Sequence, residues 1–209
     1  LPDLDVRQHV VDARETRDGV LFDLPAHGLA EERDEAHRTI AERCEQAAEV
    51  LADASPGVAW CQLNAEGDLL TEMIDGAVQV SGADSADAKE EKLHAFTDGQ
   101  IRVLVTKPSV GAWGLNWQHC HRMTYFPSHS YEQRYQAVRR CHRFGQAHPV
   151  RVDDITTSGG ARVLANLQRK AGQADRMFDA LVTHMRGAAA VNRQTTYDLT
   201  VEAPAWVTS

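Results

Sequence analysis

QAVRRCHRFGQ, Gln136 to Gln146, is the stretch on which the fold turns. On a helix Gln136, Arg140 and Arg143 fall at i, i+4 and i+7, so three polar heads share one face and two of them are guanidiniums that keep their charge. Such neighbours repel unless a multivalent oxyanion sits between them, and a triphosphate is one. An arginine placed on a transferring phosphoryl group is worth roughly three to five orders of magnitude in rate. Upstream lies LVTKPSVGAWGLNWQ, Leu104 to Gln118. Here an apolar strand ends in Thr106, Lys107 and Ser109, and a loop with Gly111 and Gly114 brings Asn116 and Gln118 close. Small residues and hydroxyls at a strand's carboxyl end can wrap a phosphate through backbone N–H groups.

Working outward, strands alternate with helices. Strands are expected at Val58 to Leu63, Ala77 to Val80, Arg102 to Val105, Arg122 to Phe126 and Val150 to Thr156. Helices are expected over Leu29 to Ala54, Glu66 to Ile74, Asp84 to Phe96 and Tyr131 to Arg143. This order predicts an α/β fold, a parallel sheet with helices on both faces and ligands beyond the carboxyl ends of the strands. From Gly160 to Arg186, Leu164, Leu167, Ala171, Ala174, Phe178, Leu181 and Met185 form one narrow apolar stripe, expected to dock on the domain's own sheet, with a dimeric coiled coil of barely three heptads the alternative and Gly172 a point where the helix could break. Residues 1–28 read as a connecting segment, and Gly187 to Ser209 as irregular chain or a packed appendage.

The 209 residues are ample for a hydrophobic core, and no apolar run approaches a membrane span. No basic, apolar leader opens the sequence, so a cytoplasmic location is expected. Four scattered cysteines fit reduced thiols. The formal net charge of −8 argues against a polyanion-binding protein, but residues 1–100 hold 8 basic and 23 acidic side chains, net −15, and residues 101–209 hold 14 and 7, net +7. The second half could then meet nucleotide or nucleic acid while the first faces away.

The two strings together resemble motifs V and VI of superfamily-two helicases and translocases, most closely the Swi/Snf-like branch, whose motif VI reads Q-x-x-x-R-x-x-R-x-G-Q. Gln136, Arg140, Arg143, Gly145 and Gln146 match it position by position. VAWCQLNAEGDLL resembles the motif IV strand of the same lobe, and the likeness covers about Pro56 to Met185. It implies a RecA-like lobe at residues 56–158, with an N-terminal extension at 1–55 and a C-terminal helix and tail at 159–209.

By resemblance, this is the second motor lobe of an ATP-dependent, DNA-directed helicase or translocase. Arg140 and Arg143 would reach across an interlobe cleft to the nucleotide, with Arg143 the finger and Gln136 positioning them. Gly111, Gly114, Asn116 and Gln146 would face the nucleotide. Thr106, Lys107, Ser109 and Trp113 would face nucleic acid. ATP and Mg2+ would be held mainly by a first RecA-like lobe, because G-x-x-x-x-G-K-[ST] does not occur in this sequence. The alternative is a lobe that binds nucleic acid or protein without hydrolysis. A departure is Ser158-Gly159-Gly160-Ala161, where the family commonly has an acidic residue.

Three features invite other readings. Asp34-Glu35-Ala36-His37 spells DEAH, a helicase signature, yet it lies in a helical pattern without the apolar strand a Walker B carboxylate needs. His119-Cys120-His121 and Cys141-His142 suggest zinc, but adjacent strand residues point to opposite faces and no C-x-x-C pair occurs, so no metal site is expected. Trp60 reads as core, whereas Trp113 and Trp117 are open to packing or to base stacking.

Overall fold

The computed structural model describes residues 1–14, 29–110 and 115–192. Six strands, β1 Leu4–Val11, β2 Gly57–Trp60, β3 Ala77–Val80, β4 Val103–Thr106, β5 Arg122–Tyr125 and β6 Val150–Thr157, form one sheet in the order β1-β6-β5-β2-β4-β3. Every pairing is parallel. The helices are α1 Leu29–Arg38, α2 Ile40–Val50, α3 Asn64–Met73, α4 Ala86–Thr97, α5 Tyr131–Arg139 and α6 Ala161–Asn192.

Alternation along the strands splits the core into two layers. Val58, Trp60, Leu104, Met123, Tyr125 and Val152 point to one face, where Phe96 of α4, Ala137 and Val138 of α5 and Leu167 of α6 cover them. Ala59, Val103, Val105 and Ile155 point to the other, beneath Cys44 and Ala47 of α2 and Leu70 of α3. Four-residue strands buried on both sides give the near-continuous apolar runs by which they were recognisable. The fold is the α/β, RecA-like architecture expected, with helices on both faces.

Three expectations change. Residues Leu4–Val11, read as connecting chain, pair along their whole length with β6 at the sheet edge. The long helix from Leu29 breaks at Thr39, whose hydroxyl donates to the Glu35 carbonyl (2.7 Å) while its backbone leaves helical geometry (φ −107°, ψ 23°). The acidic half does not face away as a block, since α4 from that half packs on the same sheet face as α5. The chain forms two compact units, Leu1–Arg169 and Lys170–Ser209.

Within the first unit, Leu164 and Leu167 begin α6 buried. In the second, α6 runs unbroken through Gly172, and Phe178, Leu181 and Met185 are exposed. No helix among the described residues is long and apolar enough to cross a membrane.

Candidate functional site

Strands β3, β4, β2 and β5 finish level, at Val80, Thr106, Trp60 and Tyr125. Ser130 caps α5 there, its hydroxyl accepting the Gln133 N–H at 3.2 Å. The helix then runs back along β5 and delivers the arginines to the opposite edge, where the strands begin. His142 Nε2 bonds the carbonyl of Pro2, just before β1, and the Gln146 amide donates to Cys120, just before β5. The expectation of arginines on one helical face, at the finishing edge, is thereby corrected. Regular helix stops at Arg139 because the carbonyl of Arg140 is taken by Trp117 N–H (2.9 Å) and that of Val138 accepts both Cys141 and His142.

At that turn the two motifs meet. Arg140 Nη1 donates to the Leu115 carbonyl at 3.1 Å, and Arg143 Nη1 donates to Asn116 Oδ1. Arg143 meets no carboxylate among the described residues, and its Nε is shielded from water with no acceptor there. Burial, and next the neighbouring Arg143 guanidinium, push the pKa of Arg140 below its usual value. Two positive forks are thus held side by side by amide and carbonyl oxygens of one segment, an arrangement whose charge is relieved by an anion.

The other expected residues divide. Gln136 is exposed and donates to Glu132 Oε1 (3.2 Å) on its own helix. Gln146 is buried, and its amide is consumed internally, donating to Cys120 (2.8 Å) and Cys141 (3.2 Å) and accepting from His148 N–H. These bonds latch the turn after Arg143 to the start of β5. Gly145 has φ +92°, a left-handed conformation that favours glycine, and the end of the Gln118 side chain lies close to where a Cβ would stand. Thr106 is buried and its hydroxyl donates to the Val80 carbonyl (2.8 Å), which removes it from any nucleic-acid surface. Lys107 is half-buried and Ser109 exposed at the finishing edge. Gly111, Trp113 and Gly114 lie outside the described residues.

Trp60 and Trp117 are both buried, their rings 5.8 Å apart, and Phe96 meets Trp117 edge-on at 5.3 Å. Trp117 is therefore core. No group of three His, Cys, Asp or Glu among the described residues is placed to hold a metal. Burial lowers the pKa of His119 and, first among its causes, that of His121.

The sequence reading missed the acidic group at the Ser158–Ala161 corner. Glu35, from the DEAH string in α1, is buried there, accepts the Thr157 hydroxyl at 2.6 Å and pairs with Arg38 at 2.6 Å. A Cβ on Gly159 would lie 2.4 Å from that carboxyl, so the glycine makes room for an acid supplied from elsewhere in the chain.

No family model and no curated protein matches the sequence. Solved structures do. The chain is similar to the C-terminal part of the Fun30 ATPase domain (13% identity, TM-score 0.54), covering 62% of this chain and 46% of that one. It is similar to S. cerevisiae Dbp5 bound to RNA and ADP BeF3 (12%, TM-score 0.58), covering 80% and 39%. It is also similar to the C-terminal domain of the DEAD-box protein Dbp5 (13%, TM-score 0.55), covering 83% and 86%. The chain thus spans less than half the length of the Fun30 and RNA-bound Dbp5 chains. At these identities the likeness establishes the fold, that of C-terminal RecA-like helicase lobes.

Proposed function

We propose that this chain is the second motor lobe of an ATP-dependent nucleic-acid motor of the Swi/Snf-like kind, acting on DNA with a first RecA-like lobe that holds ATP and Mg2+. The observation that carries the reading is the joint between motifs, in which Arg140 and Arg143 are both gripped by Leu115 and Asn116. A shift of the 115–118 segment moves both forks together, which is the coupling a motor needs between its nucleic-acid track and its nucleotide. Asn116 restrains one nitrogen of Arg143 and fixes the plane of the guanidinium, so less side-chain freedom is lost when a phosphate engages it. The likeness to Fun30 and Dbp5 lobes supports the same reading. On this reading the first lobe presents its nucleotide at the edge where β5 and β6 begin, while Lys107 and Ser109 serve nucleic acid at the other.

The test is ATP turnover by the chain alone and with a first lobe supplied. Alone, it is expected to be negligible, since the sequence holds no phosphate loop. With the first lobe, DNA-stimulated turnover should appear, and Arg143→Ala should lower it by about three orders of magnitude while leaving DNA affinity nearly unchanged. Robust turnover by the isolated chain, or an unaffected Arg143→Ala complex, overturns the proposal.

A further inference from the structure

In α6, Leu164, Leu167, Ala171, Ala174, Phe178, Leu181 and Met185 alternate in steps of three and four, the a and d positions of a heptad. All seven positions lie on one continuous helix, Ala161–Asn192. In the second unit, Phe178 is 50%, Leu181 49% and Met185 68% exposed, with Met177 (58%) and Val182 (45%) at the flanking g and e positions. Five large apolar side chains on one stripe form a patch that surface helices do not ordinarily leave to water. The 3.5-residue period is that of a supercoiled seam, narrower than the face of a helix lying on a sheet.

We infer that this stripe from Ala171 to Met185, beyond Leu164 and Leu167, which are buried in the lobe, is the seam of a parallel, in-register two-stranded coiled coil with a second copy of the chain. Charge and polarity select that occupant. In a parallel pair each g residue faces the e residue of the next heptad on its partner. Lys170 then stands opposite Asp175 of the second copy, and Met177 opposite its Val182, so cation meets carboxylate and apolar meets apolar. An antiparallel pair sets g against g and e against e, which joins no oppositely charged residues in this segment. Phe178, Leu181 and Met185 lie in the seam, with Arg176 and Asp179 outside it.

Sedimentation of the 209-residue chain tests this. The native chain should sediment as a dimer, and Phe178→Glu with Leu181→Glu as a monomer whose lobe unfolds at the same temperature. Lys170→Glu should weaken the dimer about tenfold, and adding Asp175→Lys should restore it. The native cysteines are buried, so Met185→Cys should give a disulfide-linked dimer on mild oxidation, as only the parallel register brings those positions together. A chain that stays monomeric over its soluble range overturns the inference, including one whose stripe is covered only when a first lobe is added. So does a dimer indifferent to the glutamates, a charge swap without rescue, or failure of Met185→Cys to cross-link.

Discussion

Thr106 and Lys107 are adjacent in sequence, and the pleat sends them to different tasks. Thr106 closes β4 with its hydroxyl on Val80 inside the sheet, whereas Lys107 leaves the strand end half-exposed. Thr106→Val should therefore lower stability by about 1–2 kcal/mol, the cost of a buried acceptor losing its donor. It should leave the salt dependence of DNA binding by the complemented motor unaltered. Lys107→Ala should cut the slope of log K against log salt by about one, since one phosphate contact releases about one counterion. Urea titration and binding at two salt concentrations separate the pair; equal effects on both readouts would remove Lys107 from the track. The motif letters were legible at this scale, but not their roles. Gln136 and Gln146 both match the pattern, and only the end of α5 at Arg139 turns one outward and buries the other. That end is set by Trp117 N–H, twenty-three residues away in the chain, which no local spacing reveals.

Between elements, the recurrent device is an arginine at a strand's start that caps helix ends. Arg102, just before β4, donates to the carbonyls of Leu51 (3.1 Å), Ala52 (3.2 Å) and Ala54 (3.0 Å) beyond α2, and to Asp75 beyond α3. Arg122, opening β5, adds Val50. These carbonyls carry the negative end of each helix dipole, so one guanidinium satisfies acceptors from two helices while neutralising their charge. Arg102→Ala should cost about 2–3 kcal/mol, as charge-assisted bonds to partly buried carbonyls are lost. Hydrogen exchange should show the last turns of α2 and α3 opening before the sheet, and uniform loosening would contradict the assignment. Strands β2 to β6 were readable because each is a short β-branched run between turn residues. β1 was not, since LDVRQHVV reads as a charged edge, although Leu4, Val6 and Val10 keep the period of two that signals a strand. Its docking draws on buried Asp153, which accepts from His9 at 2.7 Å and from Arg151 at 2.8 Å, a contact between chain ends that sequence cannot rank.

For the molecule as a whole, chain order and spatial order diverge. The acidic first half and basic second half interleave in one sheet, so net charge by halves did not foretell a charged side, whereas hydrophobic alternation did foretell two covered faces. Both faces are sealed partly by thiols, and this sets a pH limit on the fold. Burial pushes Cys44 and Cys61 up to about 12, and Cys141 is raised by its hydrogen bond with Cys120 and then by burial. In the unfolded chain these thiols titrate near 8.5. Between the two values the unfolded state releases protons that the folded state keeps, so stability is whole below about pH 8.5 and falls as pH rises towards 12. Each thiol contributes a slope of up to about 1.4 kcal/mol per pH unit. Urea midpoints measured in reducing buffer at pH 8.0 and 9.5 should therefore drop, and the drop should shrink when Cys44 and Cys61 are replaced by alanine, even though the variants start out less stable. Thiol reagents should meet little reaction in the folded chain at pH 8 and four thiols once it is unfolded. A midpoint indifferent to pH, or rapid labelling of the folded chain, would mean that the two apolar layers admit water and that the thiolates form within them.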